Sequence, residues 1–181
     1  MELIFIDGND LRAREVQAIM PTAQLKLEAL IAGFATSAPE PAQKAHDKVE
    51  AHPTAVACFA EAVDLTTLDG KSLRLELDSE NENRFCKWWR EKPVRFELRV
   101  AFRRANTAAI EVLTATCEGR IADKPAGPHL LGWERLFVPE GEDETLAQLT
   151  AKGMVTEFRL VVYSELARTF GLTPVELGAG A

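Results

Sequence analysis

The chain has few of the residues that build metal-binding or disulfide frameworks. Its only cysteines are Cys58, Cys86 and Cys117, and neither a Cys-x-x-Cys motif nor a cysteine–histidine metal spacing is present. An odd number of scattered cysteines is typical of reduced thiols in a protein core. This pattern favours the reducing environment of the cytoplasm.

Positive charge and long apolar runs are also scarce. Lysine and arginine number 21 against 28 acidic residues, which gives a net charge of −7. A protein that binds the nucleic-acid backbone needs a basic face, so we expect no nucleic-acid partner. No stretch approaches the roughly 20 apolar residues of a membrane span, and the apolar run at 3–6 is too short for a signal peptide. We therefore expect no membrane partner, although a local cationic pocket can still bind a nucleotide.

Common catalytic motifs are absent as well. The sequence contains no Walker loop, no Gly-x-Gly-x-x-Gly turn and no serine–histidine–aspartate arrangement. It also shows no internal repeat and no low-complexity segment. A chain of 181 residues can bury a core of its own, so we expect a single domain over residues 1–181.

The sequence does contain a clear pattern of strands and helices. Apolar runs and alternation predict strands at about 3–6, 25–30, 55–63, 73–77, 94–103, 108–117 and 136–138. Caps and helical periodicity predict helices at about 10–20, 41–50, 80–91, 144–151 and 161–170. Strands 94–103 and 108–117 would form a long antiparallel hairpin. We therefore expect an α/β fold with a mixed central sheet, this hairpin and flanking helices.

Three aromatic side chains mark one face of a predicted helix. Phe85, Trp88 and Trp89 are spaced so that they lie on the same side of the helix at 80–91. Such a stripe is usually part of the core. If the two tryptophans are exposed instead, they are the best contact residues for a protein partner.

The turn after the first strand is the first candidate site. Gly8 and Asn9 precede a helix whose first backbone amides are unpaired and carry partial positive charge, so they can bind a phosphate. Arg12 lies one turn into this helix and can reach the same anion. Asp7 and Asp10 oppose a phosphate there unless a metal ion lies between them. A plain capped turn explains the same residues.

Two further groups of charged residues are candidates. Glu61, Asp64 and Asp69 lie around the end of a predicted buried strand and in the turn that follows, where carboxylates can bind magnesium or activate a water molecule. Solvated turn carboxylates are the alternative explanation. Lys152, Arg159 and Arg168 near the C-terminus can close over a phosphate or a base, and an exposed charged helix face is the alternative there.

A run near the start of the chain resembles a motif of one known family. The Ham1-like inosine triphosphate pyrophosphatases begin with a strand followed by Thr-Gly-Asn-x-x-Lys-x-x-Glu, and this chain agrees at Gly8, Asn9 and Glu15. Arg12 takes the place of a phosphate-binding lysine, which keeps the charge but changes its geometry. Asp7 takes the place of the threonine.

A second stretch carries the same resemblance. Residues 132–141, Gly-Trp-Glu-Arg-Leu-Phe-Val-Pro-Glu-Gly, are similar to the family's Gly-Tyr-Asp-Pro-x-Phe followed by Pro-Glu-Gly. The run Thr-Leu-Ala-Gln-Leu at 145–149 looks like the helix start that follows it. The resemblance implies that Trp133 stacks on the base and that Glu134 lies beside it in the substrate site.

The resemblance implies a fold, an activity and a cofactor. The family fold has two lobes around a cleft, so the turn at Gly8 and the segment with Trp133 should face each other across one groove. The family hydrolyses purine nucleoside triphosphates with non-standard bases to monophosphates and pyrophosphate, and we expect Mg²⁺ as the metal. Glu28, Glu61 and Asp64 would lie near this metal. The family also implies a homodimer.

The chain departs from the family at two motifs. Asp-Asp-Ser-Gly-Leu, which supplies catalytic carboxylates, corresponds best to Glu-Ala-Val-Asp-Leu at 61–65, where Ala62 replaces the second acid. The Ser-His-Arg that reads the base is absent, with Arg159 the one arginine retained there. Two interpretations stay open. The chain is either a divergent metal-dependent pyrophosphatase with Glu61 and Asp64 as catalytic residues, or a nucleotide-binding or partner-binding protein with impaired catalysis.

Overall fold

The computed structural model of the chain describes residues 1–34, 40–52, 55–79, 81–107 and 109–175. Within these ranges the strands are β1 (Glu2–Ile6), β2 (Gln24–Glu28), β3 (Cys58–Thr67), β4 (Pro93–Arg103), β5 (Ile110–Ile121) and β6 (Phe137–Pro139). The helices are α1 (Asp10–Ile19), α2 (Pro41–Ala51), α3 (Arg74–Ser79), α4 (Glu82–Trp89), α5 (Leu146–Ala151) and α6 (Glu157–Thr169). A 3₁₀ segment occupies His129–Arg135.

The strands form one mixed sheet in the order β2-β1-β3-β4-β5-β6. β1 runs parallel to β2 and β3, while β3, β4, β5 and β6 pair in antiparallel fashion. The predicted hairpin is confirmed, with β4 and β5 paired from Pro93 opposite Arg120 to Arg103 opposite Ile110. The mixed α/β architecture expected from the sequence is therefore confirmed.

The parallel pairs bring several chain segments to one edge of the sheet. Ile6, the last residue of β1, lies opposite Glu28 on one side and Ala60 on the other. The turn after β1 therefore emerges beside Glu61, in the middle of the long strand β3. The carboxyl ends of parallel strands commonly form the ligand site of α/β proteins.

The two faces of the sheet carry separate apolar clusters. The larger one contains Phe59 and Leu65 of β3 together with buried residues of α1 and α6, and the smaller one joins Cys58 and Ala60 to α2. Successive side chains of a strand point to opposite faces. Glu61 therefore shares the face of Phe59, with α1 and α6, whereas Asp64 points to the opposite face.

One predicted strand is wrong. Residues 73–77 were expected to be a strand because Leu73, Leu75 and Leu77 alternate with charged residues, but Arg74–Ser79 is a helix. Leu73 and Leu77 are buried while Leu75 is exposed. Positions four apart share a helical face as well as a strand face, so five residues do not distinguish the two periods.

The aromatic stripe is only partly a core feature. Phe85 is buried and stacks with Trp89, which packs against the larger cluster. Trp88 is 56% exposed, with the Arg84 guanidinium 4.9 Å from its ring centroid. The helix is shorter than predicted, and Trp88 lies on its solvent-exposed side, away from the buried Phe85 and Cys86. All three cysteines are free, as predicted, and no helix among the described residues is long and apolar enough to cross a membrane.

Candidate nucleotide-binding groove

A groove of about 390 Å³ opens at the sheet edge where β1 ends. Asp7, Asn9 and Arg12 line one side, and the segment 130–134 with Trp133 lines the other. Residues 61–63 form part of the floor. The structure thus brings the turn after β1 and the tryptophan segment into one groove, although more than 100 residues separate them in the sequence.

Local packing explains the shape of the first side. Asn9 caps α1, and its Oδ1 accepts a hydrogen bond of 2.9 Å from the Arg12 amide. A Cβ atom at Gly8 would lie 2.6 Å from Cδ1 of Phe5, so only glycine lets the turn approach the strand this closely. Gly8 therefore shapes the turn through packing.

The second side depends on an unusual backbone conformation. Gly132 has φ 50° and ψ −123°, a combination that side chains with a Cβ rarely adopt. This kink aims the half-buried Trp133 into the groove. The Arg74 guanidinium lies 4.9 Å from the indole centroid and donates a hydrogen bond of 3.3 Å to the Val63 carbonyl.

A buried ion cluster lies directly behind the groove. We use this name for Arg12, Glu15, Glu61, Glu134 and Arg159. Arg12 forms ion pairs with Glu15 and Glu134, and its Nε lies 3.5 Å from Glu61 Oε2. Arg159 Nη2 lies 2.7 Å from Glu134 Oε1, and Arg159 Nη1 lies 3.3 Å from Glu15 Oε2. The cluster joins β3, α1, α6 and the 3₁₀ segment.

The cluster has one carboxyl group more than it has cations. Burial raises the pKa of Glu61 to about 7, because Glu134 and Glu15 add to the desolvation and Arg12 and Arg159 only partly offset it. Burial alone would also raise the pKa of Glu134, but Arg12 and Arg159 outweigh it and hold that pKa below its usual value. Glu61 is therefore the group of the cluster that takes up a proton near neutral pH.

A family model described as "Ham1 family" matches residues 3–154. The chain belongs to the Ham1 family. The HAM1 protein from Coxiella burnetii superposes with a TM-score of 0.67 at 15% identity, covering 94% of this chain and 98% of the other. The Ham1 protein of Staphylococcus aureus superposes with a TM-score of 0.64 at 18% identity, covering 94% of this chain and 97% of the other. The similarity to these two structures shows that this chain has the Ham1 fold.

Curated relatives match over short segments. A dITP/XTP pyrophosphatase of Hyperthermus butylicus is 40% identical over 45 residues, which is 25% of this chain and 24% of the relative. A dITP/XTP pyrophosphatase of Halalkalibacterium halodurans is 34% identical over 62 residues, or 34% of this chain and 31% of the relative. The matched segments thus span less than a third of these relatives.

Two predicted substrate-binding residues lie outside the groove. Arg159 is 0% exposed, and α6 places it behind Glu134, where Nη1 also donates to Thr150 Oγ1 at 3.3 Å. Lys152 ends α5 and pairs with Glu144 on the surface. Arg159 therefore contacts the groove only indirectly, through its ion pair with Glu134, and Lys152 has no described contact with the groove.

The three carboxylates expected around magnesium do not converge. Glu28 lies 2.7 Å from Lys26 Nζ and 2.9 Å from His52 Nε2. Asp64 lies on the opposite sheet face from Glu61, with Oδ1 accepting from the Leu65 amide at 2.9 Å. Only Glu61 reaches the groove. The expected ligand set therefore does not fit a single metal ion.

Among the residues that the structure describes, the side chains best placed to share a metal ion lie outside the groove. The one group whose ligand atoms could meet at an ion is His46, Asp47 and Glu50 on the outer part of α2, which does not line the groove. Exposed acidic groups of this kind are common without a metal. The groove itself offers the carboxylates of Asp7, Glu61 and Glu134. The Asp7 carboxylate is already 2.6 Å from Lys48 Nζ, and Glu134 is paired with Arg12.

Three groove cations were missed in the sequence. Lys44, Lys48 and Arg74 all line the groove. The two lysines are four residues apart on α2 and so share a helix face, a spacing that could have been noticed. Arg74 could not be recognised as a groove residue from the sequence, because residues 73–77 were predicted to be a strand and Arg74 in fact begins a helix.

Proposed function

We propose that this Ham1 family protein binds a nucleoside triphosphate in the groove and hydrolyses it to a nucleoside monophosphate and pyrophosphate. The observation that carries this proposal is the position of Glu61. Its carboxyl group lies between the start of α1 and the Trp133 segment, and Oε1 is buried without a hydrogen-bond partner among the described residues. A buried carboxyl oxygen without a partner suits a group that acts on a bound water molecule.

The groove offers separate surfaces for the base and the phosphates. The half-buried indole of Trp133 provides a stacking surface for a base. Lys44, Lys48 and the first turn of α1 provide positive charge for a phosphate chain. The similarity to dITP/XTP pyrophosphatases supports purine triphosphates with non-standard bases as the preferred substrates.

Glu61 is the proposed general base. With its pKa at about 7, a large share of the group is ionised at neutral pH and can still accept a proton efficiently. It removes a proton from water as the water oxygen attacks the α-phosphorus. The bond between the α-phosphorus and the bridging oxygen breaks, and pyrophosphate leaves with the electron pair. The lysines stabilise the charge that develops on the leaving group.

The surroundings of Arg12 and Ala62 favour a second candidate function, which is nucleotide binding without hydrolysis. Arg12, in place of the family's phosphate-binding lysine, is buried and engaged by Glu15, Glu61 and Glu134. Ala62 in the groove supplies no carboxylate. A protein that binds a nucleotide without hydrolysing it would show these same features.

The family resemblance further supports a homodimer, and the free thiols support a cytoplasmic location.

Pyrophosphate release separates the two functions. Purified protein is incubated with ATP, GTP, ITP, dITP and XTP, and released pyrophosphate is measured while calorimetry measures binding. Release from the inosine or xanthosine nucleotides would support the pyrophosphatase. Binding without release would support the second function, and the absence of both would remove nucleotide chemistry from this groove.

Trp133→Ala is expected to weaken nucleotide binding by about tenfold or more, because base–aromatic stacking contributes roughly 1–3 kcal/mol per base. Calorimetric titration with the best nucleotide of the panel measures the change. Trp88→Ala is the matched control, since Trp88 is exposed on α4 and does not line the groove. Equal affinities for the two variants would contradict the stacking role.

A further inference from the structure

Arg74 joins the floor of the groove to the tryptophan segment. Its guanidinium carbon lies 4.9 Å from the centroid of the Trp133 indole, and Nη2 donates a hydrogen bond of 3.3 Å to the Val63 carbonyl oxygen. All three residues line the groove. The guanidinium therefore lies at the place where the proposed function puts the base.

The start of α3 holds the Arg74 backbone in this position. The Arg74 amide donates a hydrogen bond of 3.2 Å to Ser72 Oγ, and the Leu73 amide donates one of 2.8 Å to the Leu65 carbonyl of β3. Leu73 and Leu77 are buried in the larger apolar cluster, so the helix is anchored against the sheet. The backbone is thus fixed, while the long side chain reaches into the groove.

The guanidinium of Arg74 has donors to spare. An arginine side chain carries five N–H donors in one plane, and Nη2 uses one of them on Val63. Nε is buried and has no hydrogen-bond partner among the described residues. A buried N–H without an acceptor costs free energy. The guanidinium therefore gains by turning toward an acceptor that a ligand brings into the groove.

The two arginines that line the groove differ in their partners. Arg12 is buried and paired with Glu15 and Glu134 in the buried ion cluster. Arg74 forms no ion pair with a described residue, although its charge acts on Asp64, where it offsets part of the burial that raises the pKa of that carboxyl group. Arg74 is thus the groove arginine whose donors face a ligand instead of a carboxylate.

A planar group that only donates, beside a stacking surface, suits one edge of certain purines. In guanine, N7 and O6 are neighbouring acceptors, and arginine binds both through two parallel hydrogen bonds. Hypoxanthine and xanthine carry the same two acceptors. Adenine has an amino group in place of O6, so a guanidinium there would meet a donor with a donor.

We propose that Arg74 recognises the base by donating hydrogen bonds to O6 and N7 of a 6-oxopurine stacked on Trp133. The inference rests on the nucleotide binding of the proposed function and names the residue that selects the base. The base takes indole surface that the guanidinium covers in the free protein, and the guanidinium moves to the edge of the base. Because guanine, hypoxanthine and xanthine share this edge, Arg74 separates them from adenine and not from one another.

Calorimetry with non-hydrolysable triphosphates tests the inference on the intact chain. The probes are the α,β-methylene analogues of GTP, ITP and ATP, each titrated with Mg²⁺ present. We expect the GTP and ITP analogues to bind with similar affinity and the ATP analogue about tenfold to a hundredfold more weakly. An ATP analogue that binds as tightly as the other two overturns the inference and leaves the proposed function standing. If none of the three binds, the proposed function itself fails.

Variants assign the selectivity to Arg74. Arg74→Met should weaken the GTP and ITP analogues about tenfold to a hundredfold while the ATP analogue changes little, so that the three affinities become similar. Arg84→Met is the matched control, because the Arg84 guanidinium also lies 4.9 Å from an indole, that of Trp88, and does not line the groove. This control should keep the wild-type selectivity. An equal loss for all three analogues in Arg74→Met would overturn the reading of the base.

Arg74→Lys separates the charge from the geometry of the donors. Lysine keeps the positive charge near Asp64 but cannot form two parallel hydrogen bonds to O6 and N7. The variant should therefore fold like the wild type, as thermal unfolding would show, and still lose most of its preference over the ATP analogue. A lysine variant with the full wild-type preference would mean that charge alone is used, and it would overturn recognition of the base edge by Arg74.

Discussion

Replacing Glu61 by glutamine is expected to lower pyrophosphate release about a hundredfold or more, while nucleotide binding stays within the same order of magnitude. General-base groups typically contribute 10²–10⁴-fold, and glutamine cannot accept the proton from water. The amide keeps the size of the side chain and its place beside Arg12. Steady-state assays of release, paired with calorimetry on the same preparation, measure both quantities.

The stability of Glu61→Gln provides the control for folding. Glu61 has a folded-state pKa of about 7, above its unfolded value near 4.5, so the native state binds more protons between these pH values. Its contribution to stability is fully present below about pH 4.5 and is lost as pH rises through 7. Glutamine mimics the protonated form, so the variant should be more stable than the wild type at pH 8, by at most about 3 kcal/mol. The difference in the free energy of unfolding between the variant and the wild type should become smaller as the pH is lowered toward 5.

Two outcomes would count against the role of Glu61. Wild-type release that does not rise with pH between 6 and 8 would contradict a base that titrates near 7. If Glu61→Gln released pyrophosphate at the full wild-type rate, another group would have to accept the proton from the attacking water. Asp64→Asn is the matched comparison, because Asp64 lies on the opposite face of the sheet and should matter little to release.

Arg159→Met is expected to lower the free energy of unfolding by about 3–5 kcal/mol, the usual cost of removing one partner from a buried charge network. Methionine fills much of the same volume and leaves Glu134 and Glu15 with only Arg12 as a cation. Urea unfolding followed by circular dichroism gives the change directly. In a chain of this length, each kcal/mol corresponds to about 2–4 °C in Tm.

The same helix supplies the control for Arg159. Arg168→Met removes an arginine from the exposed side of α6, where a substitution should change stability by less than about 0.5 kcal/mol. A cost of similar size in both variants would mean that the buried ion cluster contributes little to the fold. If Arg159→Met proves too unstable to purify at neutral pH, Arg159→Lys retains a cation with fewer donors and should cost less.

Much of the framework could be predicted from local patterns. The hairpin of β4 and β5 follows from a long alternation of apolar and charged residues, which few other structures accommodate. The cap at Asn9 follows from its chemistry, since a side-chain oxygen before a helix satisfies an unpaired amide. The short segment around Arg74 was mispredicted because five residues contain too little periodicity.

The grouping of side chains into a site could be predicted only in outline. Motif resemblance brought the turn at Gly8 and the segment with Trp133 to one groove. It did not show that Glu61 and Asp64 face opposite sides of the sheet, which needs the register of β3 and its neighbours. It also did not identify Lys48, whose position depends on how α2 packs against the sheet.

The sequence alone determined the α/β class, the main strands, the free cysteines and the likeness to Ham1 proteins, because these depend on residues close together in the chain. The tertiary structure decided which charges meet. Arg12 reaches Glu134, 122 residues away, and Arg159 reaches Glu15, 144 residues away. Buried charges require partners from whatever elements pack around them, and that packing is a property of the whole fold.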